Sequence, residues 1–175
     1  YEEVARIIRK KRVLGIDREA WRRRGKPAWF YEVGTQGYRY HMSNINAAIG
    51  LAQLKKVNEF IRRKRQICKA YDSAFGKIDG ITLIKRDYKE CGPFFYVIRV
   101  KKGRDSLITY LKKHGIAAQV HYIPNHIQPL FKGARVRLPS TEMLFKEIVT
   151  LPMFFEMNDS DVERVIKSVR RFFGG

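Results

Sequence analysis

The spacing of apolar positions changes along this chain, and the change marks its organisation. Near the start, Val4, Ile7 and Ile8 share one face, which predicts a short amphipathic helix over residues 2–12. Farther on, Ile45, Ala48, Ile49, Ala52, Leu54, Val57 and Ile61 recur at helical spacing and continue through Cys68, Tyr71 and Phe75. Ser43 is placed to cap this segment, because its hydroxyl can accept from an orphan backbone N–H, and Gly76 is its natural stop. One long helix is therefore expected. Its first half is the more apolar and so is expected to be the more deeply buried, with "RRKR" (62–65) on a wetter second half.

Beyond residue 77 the rhythm becomes that of a small sheet with helices. "ITLI" (81–84) and "FFYVIRV" (94–100) read as strands from their β-branched and aromatic content, joined by a polar connection that ends in a Gly-Pro turn signal. Asp105 is expected to cap a helix carrying Leu107, Ile108 and Leu111 that stops at Gly115. "IAAQVHY" (116–122) reads as a short strand and "IPNHIQPLF" as a proline-punctuated loop. A helix is expected from Ser140 to Lys146, an extended segment at "EIVTLP", and a last helix with the stripe Val162, Val165, Ile166, Val169, Phe172 and Phe173, capped near Asn158. Residues 77–175 thus form an α+β unit with enough apolar surface for its own core. Residues 1–76 offer helices and a loop but no sheet for them to cover.

Between the first two helices, residues 13–42 hold Gly15, Gly25, Pro27, Gly34 and Gly37 among the aromatics Trp21, Trp29, Phe30, Tyr31, Tyr38 and Tyr40. Ordered loops this long tend to be functional, and the aromatics indicate that this one packs against something. Its end, "GYRYHMS", places Tyr38, Arg39, Tyr40 and His41 immediately before a helix start. Either these residues form a packed elbow, or they hold an anion at the positive end of that helix.

Charge narrows the range of partners. The 175 residues carry 36 Lys and Arg against 17 acids, a formal +19, which favours anionic ligands or chains. The bases cluster at 9–12, 22–26, 62–65 and 169–171. Three of these clusters have a plain reading as solvated helix faces or loops. Their dispersal argues against a dedicated nucleic-acid motif, and no zinc-finger, RNP or KH signature is present. The two cysteines, Cys68 and Cys91, lack the spacing of a zinc site or of a disulfide framework, so a cytoplasmic protein is the default expectation. No apolar run reaches the ~18 residues of a membrane span. The chain opens on Tyr1 rather than Met, and a piece of a larger protein is expected.

Taken in order, "GYRYHMSNINAAIGLAQL" (37–54), "VHYIPNHIQPLF" (120–131), "LPSTEMLFKEIVTLPMF" (138–154) and "NDSDVERVIKSVRRF" (158–172) resemble the C-terminal part of a DegT/StrS-type nucleotide-sugar aminotransferase. The resemblance implies fold-type I, of the α/β class. Residues 77–175 would be the α+β C-terminal small domain, and residues 1–76 a remnant of the large domain with its interface loop. It implies pyridoxal 5'-phosphate (PLP) as cofactor, an amino donor such as glutamate, and a keto sugar linked to a nucleotide diphosphate as acceptor. It also implies a homodimer in the complete enzyme.

In that family the Schiff-base lysine lies in an S-x-x-K stretch, and the acidic partner of the pyridine nitrogen lies farther upstream. No lysine here has that context, so no catalytic residue is assigned to this chain and no transamination by it alone is expected. The segment matching 37–44 reaches a neighbour's active site in the family, where an Asn at the position of Arg39 contacts the PLP phosphate. This chain has Arg39 in place of that Asn and His41 in place of the usual Arg. A guanidinium fork suits two phosphate oxygens, which makes Arg39, His41 and Ser43 the candidate cofactor-binding residues.

Tyr38, His121, Tyr122 and His126 are the candidate substrate-binding residues, each with scaffold or core as its plain alternative. His121 and His126 lie in a loop with no Asp or Glu near them in sequence, so no metal site is assigned. In the long loop, Trp21, Trp29, Phe30 and Tyr31 could shape the nucleotide-sugar pocket with Arg22, Arg23, Arg24 and Lys26 on the diphosphate, or form a dimer interface. Two other classes stand beside the first reading. One is a split or degenerate subunit needing a separate N-terminal half, whose physical sign would be an exposed apolar face on helix 44–61. The other is a basic nucleic-acid-binding module, for which nothing in the chain supplies base readout.

Overall fold

The computed structural model describes residues 1–16, 29–134 and 136–174. It divides into two compact units, Tyr1–Lys55 and Lys56–Gly175.

In the first unit, α1 (Glu2–Lys11) begins with Glu2 and Glu3 and ends with Arg9, Lys10 and Lys11, a charge order that complements the helix dipole. Its expected apolar stripe exists, but Val4, Ile7 and Ile8 are exposed. The chain then turns through Gly15 (φ +74), and single bridges pair Val13 with Arg39 and Ile16 with Val33. Only glycines fit where these segments cross. A Cβ on Gly15 would lie 1.8 Å from the Thr35 carbonyl oxygen, and one on Gly37 would lie 2.0 Å from the Gly15 nitrogen. Helix α2 (Asn44–Leu54) follows, and none of its residues is buried.

In the second unit, α3 (Val57–Phe75) leads into an antiparallel sheet, β1 (Ile81–Leu83), β2 (Tyr96–Val100) and β3 (Ile148–Leu151), in that spatial order. Thr82 pairs with Arg99, and Ile98 with Val149. The pleat of β2 buries Tyr96, Ile98 and Val100 and leaves Val97 and Arg99 half-buried. These residues share one core with Ile67, Cys68, Tyr71 and Phe75 of α3, with Leu107 and Leu111 of α4 (Arg104–Lys113), and with Val162, Val165 and Val169 of α6 (Asp159–Phe172). Helix α5 (Pro139–Glu147) has its proline in the first turn, where the missing N–H costs nothing. Asn158 caps α6, as expected, and together with Asp161 closes a capping box.

Several expectations are corrected. The long helix is two: α2 ends at Leu54 and α3 begins at Val57. Burial along it is the reverse of the expected order, because the second half packs on the sheet while the more apolar first half is exposed. The N-cap of α4 is Gly103 (φ +80) instead of Asp105, which lies in the first turn and pairs with Arg104 at 2.7 Å. Residues 116–122 form a single bridge, Gln119 to Thr150, and not a full strand.

Candidate functional site

In the first unit, the elbow before α2 is held by backbone pairing to the end of α1. The Tyr38 N–H donates to the Lys11 carbonyl at 2.6 Å, the Leu14 N–H to Tyr38 at 3.0 Å, and the Tyr40 N–H to Arg12 at 3.0 Å. Tyr38 and Tyr40, two apart on an extended stretch, stack with ring centroids 5.3 Å apart and 13° between planes. Arg39 lies between them and so projects to the opposite side of the stretch. It is exposed, as is His41. Ser43 caps α2 as expected, its Oγ accepting from the Asn46 N–H at 3.2 Å. The first turn of α2 carries no acidic residue, so nothing there opposes an anion. Of the long loop, Trp29 and Tyr31 are exposed. Trp21 and the basic run Arg22, Arg23, Arg24 and Lys26 lie outside the described residues.

In the second unit, His121 stacks face to face on Phe95 at 4.4 Å and 10°, and Tyr122 meets both rings edge-on. His121 Nδ1 is buried without a partner, and so is Thr150 Oγ1. Both residues line a cavity of about 280 Å³, together with Lys64, Phe94, Phe95 and Gln119. The Lys64 ammonium sits 5.6 Å over the Phe94 ring. Tyr122 is exposed, so its plain reading as a core residue does not hold.

His126 occupies a short 3₁₀ turn, Asn125–Ile127, entered from Pro124. Its Nε2 lies 3.1 Å from Glu142 Oε1 on α5, across 16 residues of sequence. The same oxygen accepts from the Leu138 N–H at 3.4 Å. The His126 hydrogen bond, and after it the Leu138 N–H, holds the Glu142 carboxyl below its ordinary range. The loop histidine, without an acidic residue near it in sequence, thus has one near it in space. No local signal could have revealed it, because α5 returns to the loop only in three dimensions. Among the described residues, no group of three or more His, Cys, Asp or Glu is placed to hold a metal ion, and no helix is long and apolar enough to cross a membrane.

The basic clusters are not all solvated. Both Nε and Nη2 of Arg63 donate to the Met157 carbonyl, at 3.1 and 2.6 Å, and Nη2 also pairs with Asp159 at 2.8 Å. Arg65 clamps the carbonyls of Lys89 and Cys91, both at 2.9 Å. Part of the positive charge therefore serves the fold.

Residues 1–170 match the DegT/DnrJ/EryC1/StrS aminotransferase family. The spore coat polysaccharide biosynthesis protein SpsC of Bacillus subtilis is 34% identical over 186 residues, covering 99% of this chain and 48% of that protein. The crystal structure of the sugar aminotransferase CalS13 from Micromonospora echinospora matches with a TM-score of 0.84 and 28% identity, over 98% of this chain and 45% of that one. Spr1654 from Streptococcus pneumoniae, solved in PMP and PLP forms, matches with TM-scores of 0.81 and 0.80 and identities of 26% and 25%, over 97% of this chain and 43–45% of those. The chain spans about half the length of these relatives. It is a member of the DegT/DnrJ/EryC1/StrS aminotransferase family.

Proposed function

We propose that this chain is the C-terminal portion of a PLP-dependent aminotransferase that moves an amino group, with glutamate as donor, onto a keto sugar linked to a nucleotide diphosphate. The observation that carries the reading is the family match over residues 1–170, joined to structural likeness with sugar aminotransferases over about half their length. The printed role of SpsC in spore coat polysaccharide supports a sugar product destined for a polymer. The excess of 36 basic over 17 acidic residues suits a substrate with two phosphates.

The residues present fit the cofactor's phosphate. Arg39 is exposed on the stretch that leads into α2, the Ser43 cap orders the first turn, and that turn holds no acid. In the complete enzyme Arg39, His41 and Ser43 would hold the phosphate of PLP, and the bound ring would supply the electron sink that amino transfer requires. Tyr38, His121, Tyr122 and His126 would contact the substrate. His121 is oriented by its stack on Phe95, and His126 by Glu142. The Schiff-base lysine belongs to the other half, so this chain alone is inactive. The complete enzyme is a cytoplasmic homodimer in this reading.

A second reading has an observation of its own. Ile45, Ile49 and Leu54 of α2 are 74%, 56% and 64% exposed, an apolar face of the kind that a separately encoded N-terminal subunit would cover.

The deciding experiment is borohydride reduction of the natural protein in its own cells, followed by intact mass. A mass near twice that of this chain, with the PLP adduct, supports the single-chain aminotransferase. A mass near 20.6 kDa without adduct rejects it in favour of the split reading.

A further inference from the structure

We propose that Glu142 is a positioning residue that fixes the tautomer of His126, so that His126 presents Nδ1 as an acceptor to a hydroxyl of the sugar substrate. This rests on the reading that the 121–131 loop faces that substrate.

A carboxylate can only accept, so the 3.1 Å contact between His126 Nε2 and Glu142 Oε1 requires the proton on Nε2. In the neutral imidazole, Nδ1 is then the one remaining acceptor. The His126 side chain is only 10% exposed, so burial as well as the contact holds the ring, while that of Glu142 is 43% exposed. The backbone under His126 is a closed 3₁₀ turn, in which the Ile127 N–H donates to the Pro124 carbonyl at 3.2 Å and the Gln128 N–H to Asn125 at 3.0 Å.

Glu142 is fixed from its own side as well. Its backbone N–H donates to the Leu138 carbonyl at 2.9 Å, and its Oε1 accepts from the Leu138 N–H. The first turn of α5 and the loop turn are therefore coupled through one oxygen. A pyridine-type nitrogen at Nδ1 distinguishes substrates, because it accepts from a hydroxyl but gives nothing to a position that carries only an acceptor.

The test uses the full protein labelled with ¹⁵N-histidine, comparing wild type, Glu142→Ala and Glu142→Gln. Long-range ¹H–¹⁵N spectra read the tautomer, and steady-state kinetics read KM and kcat for a nucleotide-linked keto sugar. The wild type is expected to show His126 as the Nε2–H tautomer. Glu142→Ala loses that preference and raises the sugar KM about tenfold with kcat little changed, the size of one lost hydrogen bond. Glu142→Gln keeps a carbonyl acceptor and restores both the tautomer and most of the affinity.

An unchanged tautomer in Glu142→Ala overturns the positioning role. A changed tautomer with unchanged KM overturns the substrate-facing part and, with it, the assignment of this loop to the sugar site. Adduct formation by the full protein under borohydride is unaffected by either result. The two readings therefore fail separately.

Discussion

The phenol of Tyr96 on β2 donates to Asp72 Oδ1 on α3 at 2.8 Å, and the Tyr88 phenol donates to the other carboxylate oxygen. The Arg86 guanidinium lies 4.8 Å over the Tyr96 ring and 3.9 Å from the same carboxylate. Burial, and after it the hydrogen bond to Asp72, drives the Tyr96 phenol far above its ordinary titration range, so it remains a donor. One carboxylate thus joins helix, strand and the 84–95 connection.

Asp72→Ala leaves two phenols and a guanidinium without their shared acceptor. It is expected to destabilise the protein by about 2–3 kcal/mol, against about 1 kcal/mol for Tyr96→Phe. Urea-unfolding midpoints of the two single variants and the double variant check this. Strict additivity would show that the residues do not act as one network.

Thr150 makes the opposite prediction. It is 5% exposed, and its Oγ1 is sealed from solvent without a partner. Thr150→Val keeps the shape and removes the orphan hydroxyl, so it should raise stability by about 1 kcal/mol. A loss of stability would mean that the hydroxyl is satisfied after all.

Cys68 is buried against Met153, its sulfur 3.2 Å from the thioether, and burial pushes its thiol up from 9.0 to about 11. Since the folded value lies above the unfolded one, this group's contribution to stability is complete below about pH 9 and fades as pH rises towards about 11. In the native protein at neutral pH, iodoacetamide should modify the half-exposed Cys91 and spare Cys68. Peptide mapping after a timed pulse reads the two rates, and equal rates would contradict the burial.

Arg39→Ala in the complete enzyme should weaken PLP retention by about tenfold or more, with Arg39→Lys intermediate because it keeps charge and loses the fork. Dialysis followed by cofactor absorbance measures retention. Full retention in Arg39→Ala would leave the elbow with a structural role alone, carried by the Tyr38–Tyr40 stack.

Local chemistry was legible where it decided structure alone. Ser43 and Asn158 announce helix starts because a short polar side chain beside its own backbone N–H groups needs no distant partner. The β2 run Tyr96–Val100 declares itself because β-branched and aromatic residues suit a pleated surface. The strand expected at 116–122 is the complementary case: strand pairing needs a distant partner, and of these residues only Gln119 bridges to β3, at Thr150.

By itself, then, the sequence determined most of the elements, the caps at Ser43 and Asn158, the family through four ordered motifs, and the residues from which a phosphate and a sugar site are proposed. Tertiary structure alone decided three things. It set which half of the helical stretch is buried, because periodicity defines an apolar face but not what covers it; α3 enters the core of its unit and no residue of α2 is buried. It turned Arg63 and Arg65 from surface charge into clamps on backbone carbonyls. And it brought Glu142 to His126, since a hydrogen bond between residues 16 apart exists only once the chain has folded back on itself.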